Sequence, residues 1–352
     1  MSAATLRGST EPLTAGYDVA LLDLDGVVYV GADEVPGAAE VLDQVRRQGM
    51  RLAFVTNNAA RTPSAVADHL TRLGIPADPA EVITSAQAAA HHLSDRLPPG
   101  ARVLVVGTTG LREALVERGL VPVCKADAEP AAVVQGYSPD TDWHMLAEGA
   151  IAIRRGMPWI ATNLDATVPS SRGPLPGNGS LVAALERATG RSPVSTGKPD
   201  PTMHRESVGR SGAKRPLIVG DRLDTDIEGA NAVGCDSMLV LSGVTSAEEL
   251  LAAPPNMRSD YLAADLSGLL TAHPAPVEGA EGVRCGGWSA RRDTRRVMLA
   301  RTAGDGGGDR LDALRALCAA VWSTGLTRYA PADAAAEAAF AELGLDRART
   351  AT

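Results

Sequence analysis

An aspartate pair that directly follows an apolar run is the feature that most constrains how this chain can fold. Residues 19–22 have the continuous apolar pattern of a buried strand, and Asp23-Leu24-Asp25-Gly26 come next. Open α/β sheets bind their ligands outside the carboxyl ends of the strands, where this pair is expected. One carboxylate can attack or bind a cation while the other exchanges a proton. Turn formation is the alternative interpretation, since Asp and Gly are common after any strand.

A second apolar run ends in hydroxyl and amide side chains. Residues 51–55 have a strand pattern and lead into Thr56-Asn57-Asn58. A hydroxyl, two short amides and the backbone N–H groups of such a segment form a suitable cradle for a phosphoryl group. The sequence therefore predicts an anion-binding loop after the second strand.

Two later segments add a cation and more acids. Lys198 is one of three lysines in a chain rich in arginine, and it stands beside Pro199 and Pro201, which disfavour regular structure. A compact ammonium at this place indicates that a point charge is needed. Residues 216–219 form another strand pattern and lead into the acidic run 220–226. Such a run supplies the oxygen ligands that a hard cation prefers.

These four motifs, in this order, resemble those of the haloacid dehalogenase-like (HAD) phosphatases with a C2-type cap. That group includes phosphoglycolate, pyridoxal phosphate and glycerol 3-phosphate phosphatases, and the resemblance covers residues 15–270. The whole chain is similar to the actinobacterial glycerol 3-phosphate phosphatases of this group. The resemblance implies Mg²⁺-dependent hydrolysis of a small phosphate monoester through an aspartyl-phosphate, with glycerol 3-phosphate as the expected substrate.

The resemblance also implies a role for each motif residue. Asp23 is expected to be the nucleophile and Asp25 the general acid and base. Asp23, the backbone carbonyl of Asp25 and Asp221 are expected to hold Mg²⁺, and Asp226 is expected to orient that site from outside the coordination sphere. The residues expected to bind the transferring phosphoryl group are Thr56, Asn57, Asn58 and Lys198.

The alternation of strand and helix patterns predicts an α/β fold with a Rossmann-like HAD core, in which helices cover both faces of a parallel sheet. The core is assigned to residues 15–88 and 191–272, and an inserted C2-type α/β cap to 89–190. A linker at 273–282 precedes a small α+β module at 283–352. The core strands are expected near 18–24, 51–56, 81–84, 216–220 and 237–241.

The C-terminal module resembles a reduced GNAT acetyltransferase. Strand patterns at 283–289 and 295–302 precede helical patterns at 309–323 and 331–343. Residues 301–306 are similar to the acyl-CoA loop of that family. Acidic side chains stand in and just after this segment, where a pyrophosphate would lie, so a module that packs on the enzyme, regulates it or aids oligomerisation is the preferred hypothesis.

Substrate choice is assigned to the cap. Asn163 and Asp165 follow a predicted cap strand at 159–162 and offer hydrogen bonds to hydroxyl groups. An anionic Asp165 facing the site would repel the carboxylate of phosphoglycolate, which favours a polyol phosphate such as glycerol 3-phosphate. The alternative is that Asp165 caps a turn and faces water.

Composition limits the other function classes. The chain has 352 residues, is 45% hydrophobic and carries a net charge of −8, which argues against a nucleic-acid partner. Its four cysteines form no C-x-x-C pair, and no apolar stretch reaches membrane length. We therefore expect a cytoplasmic enzyme without membrane insertion whose partner is a small phosphorylated metabolite; a homodimer is left open.

Other functions stay open at this point. Phosphoglycolate, pyridoxal phosphate and 4-nitrophenyl phosphate are alternative substrates, and phosphotransfer to an alcohol is an alternative reaction within the same fold. A non-catalytic regulator that senses a phosphorylated metabolite is the alternative from another class. The intact acids at 23, 25 and 221 and the lysine at 198 argue against that loss of catalysis.

Overall fold

The computed structural model describes most of the chain, and its strands and helices alternate through the first three quarters of the sequence. The described residues are 6–31, 33–168, 172–302 and 309–345. The chain forms two compact units: the first unit comprises 1–29, 34–51 and 214–352, and the second unit comprises 30–33 and 52–213.

Twenty short strands occur in the described residues. In chain order they are β1 (Val19–Leu22), β2 (Tyr29–Val30), β3 (Asp33–Glu34), β4 (Arg51–Thr56), β5 (Val82–Thr84), β6 (Arg102–Val106), β7 (Val121–Val123), β8 (Ala132–Gln135), β9 (Trp159–Ala161), β10 (Thr167–Val168), β11 (Leu175–Pro176), β12 (Val194–Ser195), β13 (Pro216–Gly220), β14 (Asp236–Val240), β15 (Tyr261–Ala263), β16 (Val277–Gly279), β17 (Gly282–Cys285), β18 (Trp288–Asp293), β19 (Arg296–Arg301) and β20 (Tyr329–Pro331).

Twelve α-helices connect these strands in the described part of the chain. They are α1 (Leu13–Gly16), α2 (Ala38–Arg47), α3 (Pro63–Arg72), α4 (Ser85–Ser94), α5 (Thr109–Glu117), α6 (Trp143–Arg154), α7 (Asn178–Thr189), α8 (Pro201–Ser211), α9 (Glu228–Val233), α10 (Ala247–Leu251), α11 (Arg310–Thr324) and α12 (Ala334–Glu342). A π-helical turn, Leu223–Ile227, leads directly into α9.

The first unit contains a parallel sheet with the order β15-β14-β13-β1. All residues of β1 are buried, as are all but the first residues of β13 and β14. This burial explains the continuous apolar runs in the sequence, because a parallel sheet is covered on both faces. Leu22 pairs with Val219, so β1 and β13 end side by side.

The C-terminal residues form a five-stranded sheet with the order β16-β17-β18-β19-β20. Its strands are antiparallel except for β19 and β20, which run parallel. Leu317 of α11 lies in one apolar cluster with Leu239 of β14, Leu250 of α10 and Leu262 of β15. The C-terminal sheet therefore shares a hydrophobic core with the parallel sheet of the first unit.

A buried ion pair reinforces this shared core. Arg315 and Asp312 of α11 each expose 7% of their side chains, and Arg315 Nη1 donates to Asp312 Oδ1 at 2.7 Å. Arg315 Nη2 donates to the backbone oxygen of Leu262 in β15 at 2.5 Å. Burial raises the pKa of Asp312, and the charge of Arg315 opposes that rise. The guanidinium thus joins α11 to the edge of the parallel sheet.

The second unit contains a five-stranded parallel sheet with the order β12-β9-β8-β6-β7. Strands β4 and β5, which pair in parallel, are not part of that sheet. Successive residues of β6 face opposite sides, as strand geometry requires. Val103 and Val105 pack in an apolar cluster with α4 and α5, whereas Leu104 and Val106 pack in another with α6 and α7. Helices therefore cover both faces of this sheet.

Two helices of the second unit have clear start signals. Thr84 Oγ1 accepts a hydrogen bond from Gln87 N at 3.3 Å, and Gln87 Oε1 accepts one from Thr84 N at 3.0 Å, which is a capping box for α4. Asp200 Oδ1 accepts from Thr202 N at 2.9 Å, and Pro201 occupies the first position of α8. Both helix starts are thus fixed locally.

The fold class predicted from the sequence is confirmed, and each expected core strand is present within a few residues. The C-terminal module differs in detail. The run expected at 283–289 is two strands, because Gly286 turns the chain with φ +52°, and the expected linker includes β16. The domain boundaries stay a prediction, since the compact units are divided at other places.

Two further expectations concern the acyl-CoA-like loop and membrane insertion. Residues 303–306 of the segment that resembles an acyl-CoA loop lie outside the described residues. The similarity of this segment to an acyl-CoA loop therefore stays a prediction. Among the described residues, no helix combines the length and the apolar character needed to cross a bilayer.

We predict that Arg315→Ala lowers the free energy of unfolding by ~3 kcal/mol, because it leaves a buried carboxylate and a buried carbonyl without their cation. Urea denaturation followed by circular dichroism measures this loss. Arg284→Ala is the control, since Arg284 is 66% exposed and forms an ion pair with Glu281, also exposed; it should change the value by less than ~0.5 kcal/mol. Equal stability of the two variants would contradict the role of Arg315.

Candidate functional site

Three aspartates of the first unit form an acidic cluster. Carboxylate oxygens of Asp23, Asp221 and Asp226 all lie within 4.8 Å of one another. Asp221 and Asp226 are buried, and Asp23 is half-buried. Three carboxylates this close repel one another when ionised, and a bound cation would offset that repulsion. The sequence prediction that these three residues share one site is consistent with this geometry.

Strand register brings the cluster together. Asp23 follows β1, and its backbone N–H donates to the carbonyl of Val219 in β13 at 2.9 Å. Asp221 follows β13 directly, so the two carboxylates leave neighbouring strand ends. The π-helical turn after Asp221 then places Asp226 beside them, where its Oδ2 accepts from Arg222 N at 3.2 Å.

Close backbone approach around Asp221 requires glycine. A Cβ on Gly26, whose φ is +87°, would lie 2.5 Å from Asp221 Oδ2, and one on Gly243 would lie 2.0 Å from the same oxygen. Val244 N donates to this oxygen at 2.7 Å, and Ser242 Oγ donates to the carbonyl of Gly26 at 2.8 Å. The 242–244 loop is a part of the site that the sequence reasoning missed.

The cluster fits a hard divalent cation. Its donors are all carboxylate oxygens, which Mg²⁺ prefers, and the buried positions of Asp221 and Asp226 limit competition from water. Asp25 is not part of the cluster, and its side chain is exposed. It is therefore accessible for proton exchange. Asp224, in the same acidic run, is exposed and pairs with Arg222 at 2.9 Å.

The polar residues after β4 belong to the second unit and form a tight turn. Thr56 is buried, and its Oγ1 accepts a hydrogen bond from Asn58 N at 3.1 Å. Asn58 Oδ1 accepts from Ala60 N at 2.8 Å. Side-chain oxygens of Thr and Asn commonly stabilise such turns by accepting from backbone N–H groups two residues on. This turn holds the predicted phosphoryl-binding segment in one conformation.

Asn57 clamps the loop that carries Lys198. Its Oδ1 accepts from Lys198 N at 2.9 Å, and its Nδ2 donates to Lys198 O at 3.2 Å. Lys198 is 4% exposed, and its Nζ donates to the carbonyl of Val55 at 3.4 Å. The side chain of Asn57 thus positions the lysine, which links two motifs that lie far apart in the sequence.

The cap residues Asn163 and Asp165 contact the same asparagine. Asn163 is 3% exposed, and its Nδ2 donates to the carbonyl of Asn57 at 2.7 Å. Asp165 is half-buried, and its Oδ2 accepts from Asn57 Nδ2 at 3.3 Å. Asn163 therefore joins the cap loop to the phosphoryl-binding segment, while Asp165 places a carboxylate beside it.

Two buried residues in this network were not predicted. Ser85, the first residue of α4, donates from Oγ to the carbonyl of Asn57 at 2.6 Å. Asn178, the first residue of α7, donates from Nδ2 to the carbonyl of Asn163 at 2.7 Å. Both are fully buried. A polar residue at a helix start is the available signal, but it is shared with ordinary helix caps.

The structure brings the predicted residues together as two groups. Asp23, Asp221 and Asp226 form the acidic cluster of the first unit, with Asp25 close by in the sequence. The second group belongs to the second unit and consists of Thr56, Asn57, Asn58, Asn163, Asp165 and Lys198.

Comparison with known families gives three matches along the chain. Residues 20–121 match the haloacid dehalogenase-like hydrolases, and residues 195–269 match a second HAD-hydrolase-like family description. Residues 285–345 match a GCN5-related N-acetyltransferase-like domain. The GNAT resemblance of the C-terminal module is thereby confirmed.

Individual relatives agree with these matches. The chain is 51% identical over 253 residues to D-glycerol 3-phosphate phosphatase of Mycobacterium tuberculosis, covering 72% of this chain and 71% of that protein. It is 38% identical over 236 residues to acid sugar phosphatase of Staphylococcus aureus, covering 66% and 90%. A crystal structure of glycerol phosphate phosphatase from M. tuberculosis with magnesium aligns with a TM-score of 0.88 at 44% identity, covering 96% and 99%.

We predict that Mg²⁺ raises the melting temperature, because a cation that binds the folded acidic cluster stabilises it by ~2.7 kcal/mol at a hundredfold excess over its Kd. Scanning calorimetry of the full chain with MgCl₂ and with EDTA measures the difference. Asp221→Asn should remove most of it. Asp224→Asn, an exposed change three residues away, is the control and should retain it; an equal loss in both variants would refute the site.

Proposed function

The chain belongs to the haloacid dehalogenase-like hydrolases, and we propose that it is a magnesium-dependent phosphatase that hydrolyses glycerol 3-phosphate to glycerol and phosphate. The observation that carries this proposal is the cluster of three aspartates at the ends of β1 and β13, which supplies a nucleophile beside a cation site. Relatives named as phosphatases of glycerol 3-phosphate and of sugar phosphates support the reaction class.

Asp23 is proposed to attack phosphorus. A carboxylate oxygen of Asp23 forms the new P–O bond, the ester P–O bond breaks, and the alcohol leaves as an alkoxide. Carboxylates form such covalent intermediates in other phosphoryl-transfer enzymes. A water molecule then attacks the aspartyl-phosphate, which releases phosphate and restores the Asp23 carboxylate.

Asp25 is proposed to move the protons in both steps. Protonated, it gives its proton to the leaving alkoxide; ionised, it then takes a proton from the attacking water. Its exposed side chain fits this role, because it can exchange protons with solvent between turnovers. Asp25 is not one of the three clustered carboxylates. Asp23 and Asp25 can therefore have different roles, one as nucleophile and the other in proton transfer.

The acidic cluster is proposed to hold Mg²⁺ through Asp23, Asp221 and the backbone carbonyl of Asp25. When bound, the metal offsets the repulsion between the nucleophile and the phosphate and polarises the phosphoryl oxygens. Asp226 is proposed to orient this site, and its hydrogen bond from Arg222 N fixes the carboxylate.

The second group is proposed to bind the transferring phosphoryl oxygens. The hydroxyl of Thr56, the backbone and side chain of Asn58 and the ammonium of Lys198 are the contacts proposed. Asn57 is proposed to act mainly by positioning, since its side chain holds both backbone groups of Lys198. Fixed donors of this kind stabilise developing charge without reorganising during the reaction.

Asp165 supports the choice of glycerol 3-phosphate. Its contact with Asn57 places a carboxylate beside the proposed phosphoryl-binding segment. A polyol phosphate can donate hydroxyl hydrogen bonds to this carboxylate, whereas the carboxylate of phosphoglycolate would be repelled. Phosphoglycolate, pyridoxal phosphate and 4-nitrophenyl phosphate are therefore proposed as poorer substrates. The cytoplasmic location of the protein, its domain boundaries and a homodimer stay predictions.

We predict that Asp23→Asn lowers kcat by at least ~10⁴-fold with glycerol 3-phosphate, because the amide cannot form the covalent intermediate. Phosphate release in Mg²⁺, with EDTA as the blank, measures the rate. Asp224→Asn serves as the matched control in the neighbouring acidic run and should keep the wild-type rate. Full Mg²⁺-dependent turnover by Asp23→Asn would rule out the nucleophile.

We predict that Asp165→Ala lowers the ratio of kcat/KM for glycerol 3-phosphate to kcat/KM for phosphoglycolate by about tenfold. The reason is that the change removes a carboxylate that repels the carboxylate of phosphoglycolate. The ratio of kcat/KM values for the two esters is the readout. Asp140→Ala, an exposed acid elsewhere in the cap, should leave that ratio as it is. An unchanged ratio in Asp165→Ala would show that Asp165 does not select the substrate.

A further inference from the structure

A cavity of about 370 Å³ lies in the second unit, and none of the residues assigned to catalysis lines it. Its walls come from α4, α8 and the segment that ends α5. This volume is in the lower range of pockets that hold small molecules. Four arginines line the cavity: Arg96, Arg118, Arg205 and Arg210.

A buried glutamate fixes two of these arginines. Glu206 exposes 5% of its side chain, and its Oε1 accepts from Arg118 Nη2 at 3.2 Å and lies 3.8 Å from Arg210 Nη1. Its Oε2 forms a short contact with His91 Nδ1. These interactions occupy the carboxylate and hold two guanidinium groups in place, which reduces the entropy that an incoming anion would have to remove.

The other two arginines have no acidic partner among the described residues, and Arg96 Nη1 donates to the neutral backbone carbonyl of His92 at 2.8 Å. In the described part of the chain, no carboxylate lies within ion-pair distance of Arg96 or Arg205. Asp95 also lines the cavity, but it is 59% exposed and its oxygen lies 3.5 Å from His91 Nε2. The arginines thus outnumber the carboxylates of the lining by two, although the whole chain has a net charge of −8. A local positive field of this kind concentrates anions.

We propose that this arginine-lined cavity is a second anion site, separate from catalysis, which binds a small phosphate-bearing dianion. Guanidinium groups form planar, paired hydrogen bonds with phosphoryl oxygens, which a lysine cannot match. Arg118 and Arg210 are already oriented by Glu206, and Arg96 and Arg205 supply the two charges that a dianion neutralises. The proposal needs only the residues of the cavity and does not depend on the catalytic roles.

The two helices that line this cavity, α4 and α8, both begin next to residues proposed to bind the phosphoryl group. Ser85 begins α4 and bonds to Asn57, while α8 begins three residues after Lys198. His91 lies six residues along α4 from Ser85, which corresponds to a rise of ~9 Å. An anion that tightens α4 against α8 therefore acts on the two helices that position these groups.

Histidine NMR of the full chain tests the site. Orthophosphate is titrated into the Mg²⁺-free protein at pH 7.5, and the ring signals of His92, assigned with His92→Gln, are followed. Burial and the charge of Arg96 lower the pKa of His92, and its ring lines the cavity, so its signals report on an anion bound there. We expect a saturable shift that NaCl at the same ionic strength does not produce. No shift, or the same shift with NaCl, would overturn the proposal.

Variants separate this cavity from any other phosphate site. Arg96→Gln/Arg205→Gln should weaken orthophosphate binding about tenfold, because it removes two charged donors. Arg187→Gln, a change at an exposed arginine of α7, should bind as the wild type does. Arg205→Gln alone guards against misfolding, since Arg205 is exposed and its side chain forms no hydrogen bond with the described residues; it should weaken binding in the same direction. Wild-type affinity in both arginine variants would refute the site.

A second titration identifies the source of the phosphoryl group. Glycerol 3-phosphate replaces orthophosphate under the same Mg²⁺-free conditions, in which we expect no turnover. Tighter binding of the ester supports a site for a phosphorylated metabolite, and tighter binding of orthophosphate supports a site for the free anion. Binding of neither at millimolar concentration contradicts the proposal.

Discussion

The pairing of β1 with β13 is the constraint on which the acidic cluster depends. Because Leu22 lies opposite Val219, the two strands end level and release Asp23 and Asp221 at neighbouring positions. A slip of this register would move the two carboxylates apart along the strands by ~3.3 Å per residue. Burial of apolar side chains holds the two strands in place and thereby keeps the carboxylates close together. The repulsion among these carboxylates favours binding of a cation.

The second unit is organised around one side chain in a comparable way. Asn57 receives hydrogen bonds at its carbonyl from Ser85 and Asn163, and its amide group holds the backbone of Lys198. Segments from β4, α4, the cap loop and the lysine loop thus meet at one residue. Buried polar networks are favourable only when their members are satisfied, so substitution of any one of them disturbs the others. The hydrogen bonds of Asn57 therefore fix the geometry at which these four segments meet.

The sequence predicted the parts of this architecture that local patterns encode. Apolar runs followed by Asp, Thr or Asn located the strand ends, because a short continuous apolar run is typical of a strand buried on both faces. The bond from Asn163 to Asn57 spans 106 positions, and neither residue carries a local sign of the other. Strand β16 was missed because all its residues are exposed, which leaves no apolar pattern to detect. Long-range contacts and exposed strands require the folded structure.

Hydrogen bonds join the residue proposed to select the substrate to the residues proposed to bind the phosphoryl group. Asp165 contacts the Nδ2 of Asn57, and the same nitrogen donates to the carbonyl of Lys198. A change of charge at Asp165 alters the hydrogen bonding of Asn57, and through it the placement of the lysine. Selectivity for the leaving alcohol would then appear in kcat as well as in KM, because an interaction that orients transition-state donors affects the chemical step. A cap loop bonded to the phosphoryl-binding segment cannot be exchanged as an independent specificity element.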